Sequence, residues 1–294
     1  MTFVSGFIAI LGPPNVGKST LLNRIIGAKL AIVSPKPQTT RNRILGVHHG
    51  EGFQMVFMDT PGIHKTRTLL HKSMVDSARS AFQEVDILLL MVDLNHPDAP
   101  EIPSLIGAAR HSGKPAFLAI NKIDRGTRSE ILPVIGRFSD EQLFEAIIPV
   151  SALQGDGVSE LLKAVRAELK PGPPFFPPDM RTDQPDTFLM SEIIREKIYV
   201  FARQELPYSS AVVVERTEEV AEKSLLKIFA TVHVETQSQK GILVGRQGNM
   251  VKKIGRAARM ELERRFNVQV YLKLTIKVSK NWSRDTRALR RLGY

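Results

Sequence analysis

The chain contains no cysteine, which excludes disulfide staples, thiolate zinc sites and thiol nucleophiles. Its 7 histidines are scattered without metal-ligand spacing and offer no alternative cluster, and His48-His49 reads as a solvated pair. Long apolar runs are also missing. The longest, Ile87 to Val92, falls far short of the roughly 18 residues a membrane-spanning helix needs. The opening MTFVSGFIAILGPP has neither a basic leader nor a cleavage site, so the sequence predicts a protein made and kept in the cytosol. What remains is an ordinary globular composition: 294 residues, 43% apolar and 24% charged, with 20 Gly and 18 Pro. At about 150 residues per domain, that length predicts two domains.

Charge separates the two halves. Residues 1 to 170 hold 19 Lys+Arg against 16 Asp+Glu, whereas 171 to 294 hold 22 against 14. Residues 240 to 294 carry 15 basic residues against Glu261, Glu263 and Asp285, a net +12 that accounts for the whole chain's +11. A block of one sign at this density reads as a face for a polyanion.

PGPPFFPPDMRTDQPD, from Pro171 to Asp186, contains six prolines and marks the domain boundary. The expected organisation is a domain over 1–170, a proline-rich linker over 171–187 and a second domain over 188–294. In the first, the apolar runs 6–11, 53–58, 87–92, 115–120 and 146–150 read as buried strands. Stretches with helical periodicity lie between them, among them Ser19 to Ile26, Leu69 to Val85 and Val158 to Leu169. Such alternation predicts an α/β, doubly wound parallel sheet with its ligand beyond the carboxyl ends of the strands.

The polar residues that follow those strands carry the chemistry. GPPNVGKS, Gly12 to Ser19, fits G-x-x-x-x-G-K-S directly between a strand and a helix. Its backbone N–H groups suit phosphates, Lys18 suits the β and γ phosphates, and Ser19 suits Mg²⁺. The nucleotide contacts expected here are Gly12, Pro13, Pro14, Asn15, Val16, Gly17, Lys18, Ser19 and Thr20. The second run ends in DTPG: Asp59, Thr60, Pro61 and Gly62. Asp59 is expected to hold Mg²⁺ through water, and the Gly62 N–H to meet the γ phosphate. NKID supplies Asn121, Lys122 and Asp124; its aspartate can accept from guanine's imino and amino hydrogens, a donor pair adenine lacks. Asn121 is expected on the base's other polar edge. Ser151 and Ala152 let a backbone N–H approach the guanine carbonyl, so the cofactor expected is GTP or GDP with Mg²⁺. Between these motifs, Ser34 to Ile44 reads as a switch segment in which Thr39 or Thr40 reaches Mg²⁺ when a γ phosphate is present.

The ordered set GPPNVGKS, QTTRN, DTPG, NKID and Ser-Ala resembles the translation-factor-related GTPases, and the half from SEIIREK to GRQG and RALRRLGY resembles the Era family. That resemblance selects Thr40 as the Mg²⁺-sensing threonine and names Lys18, Thr40, Gly62 and Asn15 as the catalytic set. It implies a K⁺ site at Asn15, with hydrolysis stimulated by K⁺ and by RNA. Ile63 stands where Ras-like GTPases carry a water-orienting glutamine, so intrinsic hydrolysis is expected to be slow. Pro13 stands where the family commonly has arginine, which leaves the backbone cradle intact.

Beyond the linker the element order reads α-β-β-α-α-β, with GRQG (Gly245, Arg246, Gln247, Gly248) between a short helix and a basic one over 249–266. This resembles a smaller α+β domain, the type II KH domain, whose groove takes about four unpaired nucleotides. The RNA-binding residues expected are the GRQG turn with Lys252, Lys253 and Arg256, beside Arg259 and an apolar platform of Ile242, Val244 and Val251. The final NWSRDTRALRRLGY reads as a basic helical tail in which Trp282 and Leu289 either pack a core or leave the tail to RNA. The Era resemblance further implies a monomer that binds the 3′ end of 16S ribosomal RNA and assists maturation of the 30S subunit, with peripheral contact at the cytoplasmic face of the inner membrane. Two other readings were open: a binding protein holding nucleotide as a structural ligand, and a signalling GTPase whose basic domain meets anionic lipid.

Overall fold

A computed structural model describes residues 2–34, 36, 39–60 and 84–294. The chain divides into two compact units. The first comprises Met1–Ala31, Thr40–Thr66 and Lys72–Asp183, and the second Ile32–Thr39, Arg67–His71 and Gln184–Tyr294.

The first unit is built on β1 (Val4–Leu11), α1 (Lys18–Ile26), β2 (Ile44–Gly50), β3 (Phe53–Asp59) and β4 (Ile87–Asp93). These are followed by α2 (Ile102–Ser112), β5 (Ala116–Asn121), α3 (Arg128–Ser139), β6 (Ala146–Val150), α4 (Val158–Ala167) and β7 (Lys170–Pro171). The strands form one sheet in the order β2-β3-β1-β4-β5-β6, with β7 added at the start of β1. β3, β1, β4, β5 and β6 run parallel. Each is buried along nearly its whole length or packed between helices, so it reads as a continuous apolar run without alternation. β1 sits between β3 and β4, where the strand order reverses, so its carboxyl end opens on the crevice used by ligands of such sheets.

β2 does not appear among the sequence-predicted strands. It lies antiparallel to β3 at the sheet edge, and its ILGVHHG combines a short apolar start with two histidines. The α1 helix covers it closely: a Cβ on Gly46 would stand 2.6 Å from Leu22 Cδ1. His48 packs its ring against Phe53 at 5.8 Å, and His49 bonds the Met180 carbonyl at 2.8 Å. Burial lowers the His48 pKa against the opposing hydrogen bond to the Ile25 backbone. The helix expected over Leu69 to Val85 lies, except for Glu84 and Val85, outside the described residues.

The proline-rich stretch is strapped to the first unit. Val4 and Ser5 pair antiparallel with Pro171 and Lys170, and Ser5 Oγ donates to the Pro173 carbonyl at 2.8 Å. Buried Gln54 accepts from the Phe175 and Phe176 N–H groups and donates to the Phe176 carbonyl; Val47 N–H donates to the Arg181 carbonyl. Proline removes donors and leaves every carbonyl, so an extended Pro-rich chain remains a good acceptor for the N–H groups of a sheet edge.

The second unit contains α5 (Asp186–Phe201), β8 (Ala211–Val220), β9 (Leu225–Val234), α6 (Gln237–Val244), α7 (Asn249–Phe266), β10 (Gln269–Val278) and α8 (Thr286–Arg291). α5 begins at Asp186, two residues inside the expected linker. The observed order is α-β-β-α-α-β, and the sheet runs β10-β9-β8, with β10 parallel and β8 antiparallel to β9. Leu243, Ile254 and Ala258 of α6 and α7 pack with Ile194 and Ile198 of α5 on one face of this sheet. Trp282 is buried and its Nε1–H donates to the Ser209 carbonyl at 3.1 Å; Leu289 is buried too. Those two residues of the tail therefore serve packing. Among the described residues, no helix is long and apolar enough to cross a membrane.

Candidate functional site

The turn after β1 requires its glycines. Gly12 has φ +154°, and a Cβ there would stand 2.6 Å from the Met91 carbonyl of β4. Gly17 has φ +106°, and a Cβ there would stand 2.3 Å from Asn121 Nδ2. Asn15, exposed at the tip, also takes a positive φ of 62°. The loop ends on the N-terminus of α1, which has no side-chain cap, so its first N–H groups face the turn.

Two buried groups of opposite charge sit at this turn. Lys18 Nζ donates to the Gly12 and Pro13 carbonyls, each at 2.9 Å. Burial lowers its pKa to about 8 against the pull of Asp59 and Glu101. Asp59, 0% exposed at the end of β3, has its pKa raised by burial against Lys18, Ser19 and Thr40. Asp59 Oδ2 accepts from Ser19 Oγ at 2.7 Å and Thr40 Oγ1 at 3.1 Å, and the two hydroxyls lie 2.9 Å apart. Asp59 Oδ1 is buried without a hydrogen-bond partner. A dry carboxylate beside two hydroxyls is a hard-cation donor set, and a dry ammonium beside open N–H groups is an anion site. A magnesium ion with a phosphate meets both demands, so the residues present fit that pair. The predicted Ser19, Thr40 and Asp59 thus converge, from three elements. Thr60, also buried, donates to the Ile10 carbonyl at 3.0 Å. Pro61, Gly62 and Ile63 lie outside the described residues.

At the far end of β5 the predicted residues are joined to one another and to the phosphate loop. Asn121 Nδ2 donates to the Val16 carbonyl at 2.7 Å, and Asn121 Oδ1 accepts from Ala152 N–H at 2.9 Å. Ser151 N–H donates to the Asp156 carbonyl at 2.9 Å. Asn121 thus spends its oxygen and one of its two amide hydrogens, and Ser151 and Ala152 their N–H groups, on protein partners in this structure. They tie the phosphate loop to β5 and to the turn after β6. The physical reason is burial: Asn121 is 2% exposed, and a dry amide must find protein partners. Asp124 stays half-exposed with Oδ1 accepting from Ser151 Oγ at 2.6 Å, which leaves its Oδ2 to meet a paired donor edge. Lys122 has φ 67° and its Nζ reaches Asp93 Oδ2 at 2.7 Å, fixing it across the end of β4.

Two supporting residues were not singled out in the sequence. Asn23 of α1 clamps the start of the switch segment: its Oδ1 accepts from Leu30 and Ala31 N–H, and its Nδ2 donates to the Ala31 carbonyl. Arg24 bonds the carbonyls of Ala152 and Leu153. Both sit on the helix face opposite its apolar stripe, where periodicity carries no information about distant carbonyls.

In the second unit, α6 opens with a capping box. Thr236 Oγ1 accepts from Gln239 N–H at 3.2 Å and Gln239 Oε1 accepts from Thr236 N–H at 3.2 Å. α6 then stops at Gly245, whose φ of +71° and whose Cβ position, 2.7 Å from Met250 Cβ, exclude a side chain. Gln247 (φ 52°) and Gly248 (φ 77°) complete a turn that delivers the uncapped N-terminus of α7. Arg246, Gln247, Lys252 and Arg256 are exposed around it, with Ile242 49% exposed and Val244 and Val251 half-buried. Lys253 is exposed as well, with its ammonium 4.5 Å from the Phe201 ring centroid. Within the same unit Arg195 Nη2 donates to the Thr39 carbonyl at 2.5 Å and Lys36 Nζ to the Ala202 carbonyl at 2.6 Å.

A family described as 50S ribosome-binding GTPases matches residues 7–122, and a KH-domain family matches residues 205–283. The chain is 48% identical to GTPase Era of Geobacter metallireducens over 99% of its own length and 98% of the relative's. It is 42% identical to GTPase Era of Alkaliphilus metalliredigens over 100% of both. Its structure aligns at TM-score 0.96 and 38% identity, over 99% of each chain, with an Aquifex aeolicus Era variant bound to GDP and AlF4⁻. The same values hold for an Era crystallised with MgGDPNP and nucleotides 1506–1542 of 16S ribosomal RNA. Sequence and fold thus agree with full-length relatives along the whole chain, and the chain belongs to the Era family of GTPases.

Proposed function

We propose that this protein is a GTP-hydrolysing switch that binds the single-stranded 3′ end of 16S ribosomal RNA and assists assembly and maturation of the 30S subunit. The observation that carries this reading is the likeness, over 99% of each chain, to an Era held with MgGDPNP and 16S nucleotides. It is supported here by the buried Lys18 and Asp59 pair and by a GRQG turn built for close backbone approach. GTP or GDP occupies Gly12 to Thr20, Asp59 to Gly62, Asn121 to Asp124 and Ser151-Ala152. Asp124 reads the guanine edge, and Asn121 positions the loop. Ser19, Thr40 and Asp59 hold Mg²⁺, which neutralises charge on the β and γ oxygens. Lys18 adds a fixed positive charge, and Thr40 joins the set when the γ phosphate is present. Hydrolysis is slow without a water-orienting glutamine, and K⁺ near Asn15 stimulates it; equal rates in NaCl and KCl would refute the K⁺ site. RNA meets Gly245, Arg246, Gln247, Gly248, Lys252, Lys253 and Arg256. In this reading GTP and RNA binding are linked, each raising affinity for the other by the same factor. The deciding experiment is binding of a short RNA copying the 16S 3′ end, with a scrambled control, in GTP analogue and in GDP. Tight, sequence-dependent, GTP-favoured binding is expected. Weak binding equal across both RNAs and both nucleotides would overturn the proposal.

A further inference from the structure

The three-stranded sheet of the second unit carries α5, α6 and α7 on one face; the other face is open along β10 and around Phe229, while Thr231 and His233 of β9 are buried on it. Along β10, Val270, Leu272, Leu274, Ile276 and Val278 pack into the core, and the alternate residues Tyr271, Lys273, Thr275 and Lys277 are exposed. Register places Lys227 opposite Tyr271 and Phe229 opposite Lys273. Across the other edge Arg216 lies opposite Phe229, after a bulge that follows Val214. The open face therefore has an aromatic centre: the Phe229 and Tyr271 rings stand 6.4 Å apart at 63°, and the Arg216 guanidinium lies 4.1 Å from the Phe229 centroid. Tyr271 is 51% exposed.

Charge decides what such a face can meet. Arg216, Lys227, Lys273 and Lys277 surround the rings. The opposing acids are Glu218, 3.2 Å from Arg216 and 3.8 Å from Lys227, and Glu215 at the bulge. Lys273 and Lys277 form no ion pair among the described residues. A protein interface core is depleted of lysine and richer in apolar area than two rings provide. Stacking rings bordered by cations instead match unpaired bases with their phosphates. Four strand positions from Tyr271 to Lys277 span about 20 Å, room for several nucleotides.

We propose that this open sheet face is a second single-stranded RNA-binding surface, in which bases stack on Tyr271 and Phe229 while Lys227, Lys273 and Lys277 meet phosphates. It is separate from the GRQG turn, because α6 and α7 pack on the opposite face of the sheet. Its contacts are to base faces, so it tolerates sequence, whereas the GRQG groove is the reader. The inference rests on RNA being the ligand of this unit.

The test uses the full chain and an oligoadenylate of about twelve residues, a length within the reach of one sequence-tolerant site. Tyr271→Ala is expected to weaken binding roughly 5- to 100-fold, the range for loss of a stacked base. Lys273→Glu with Lys277→Glu, which leaves both rings in place, is expected to lower the salt slope by about 1.4. Arg246→Glu with Lys252→Glu, at the groove, is expected to weaken total affinity and yet leave ultraviolet crosslinking of the bound RNA to Tyr271 in place. The proposal is overturned if the sheet variants bind as the unmodified chain does while the groove variant abolishes binding. It is also overturned if charge reversal weakens binding and Tyr271→Ala does not, because the face is then an electrostatic patch. Failure of oligoadenylate to bind the unmodified chain overturns the sheet site alone when the 16S 3′ copy still binds; failure of both RNAs overturns the RNA reading of the whole unit.

Discussion

Replacing Asn121 by alanine separates its structural role from that of a ligand contact. The side chain satisfies the Val16 carbonyl at 2.7 Å and the Ala152 N–H at 2.9 Å, and is 2% exposed. Truncation strands one acceptor and one donor, each costing about 1–3 kcal/mol when buried, so Asn121→Ala should destabilise the nucleotide-free first unit by about 2–6 kcal/mol. At roughly 2–4 °C per kcal/mol for a domain of this size, its melting temperature should fall by about 4–24 °C. The measurement is urea and thermal unfolding of nucleotide-free protein by far-UV circular dichroism. The single tryptophan, Trp282, lies in the second unit, so its emission reads that unit separately. A dichroism transition within about 0.5 kcal/mol of the unmodified protein, accompanied by a large loss of GTP affinity, would refute this reasoning and return Asn121 to the base.

The buried Lys18 makes a pH prediction. Its folded pKa of about 8 lies below its ordinary 10.5, so between those values the unfolded chain binds more protons. Stability of the nucleotide-free protein should therefore gain a rising component from pH 8 to 10.5, and a Lys18→Met variant titrated in urea should lack it. Asp59→Ala removes the carboxylate of the cation set while leaving the phosphate loop, and Mg²⁺ should then no longer strengthen binding of a GTP analogue in calorimetry; an undiminished Mg²⁺ effect would place the metal elsewhere. Gly245→Ala forces a Cβ to 2.7 Å from Met250 at φ +71°. It should cost about 1–3 kcal/mol in unfolding followed by Trp282 emission and weaken binding of the 16S 3′ copy; unchanged RNA affinity would remove the turn from the interface.

Local chemistry was enough to read the phosphate loop, DTPG, NKID and the GRQG turn, because each demands particular residue types at short, fixed spacing: glycine where a Cβ collides, a lysine and hydroxyl at a helix start. Continuous apolar runs likewise marked the parallel strands, since a strand buried on both faces cannot carry polar residues. The element order of the second unit was legible from helical periodicity and strand-like runs. Long-range polar satisfaction was not. Only the folded chain decides that Asn121 is spent on Val16 and Ala152, since that depends on which carbonyl and N–H groups meet across residues far apart in sequence. The β2 edge strand was hidden because half its length is polar, and it is defined by pairing with β3 and cover from α1. The proline stretch declared only that it lacked regular structure; which groups of the first unit it bonds, from Ser5 to Gln54, needed the sheet in place. On the second sheet, tertiary structure alone set Phe229, Tyr271 and Arg216 together on one face, through register between strands that sequence does not encode locally.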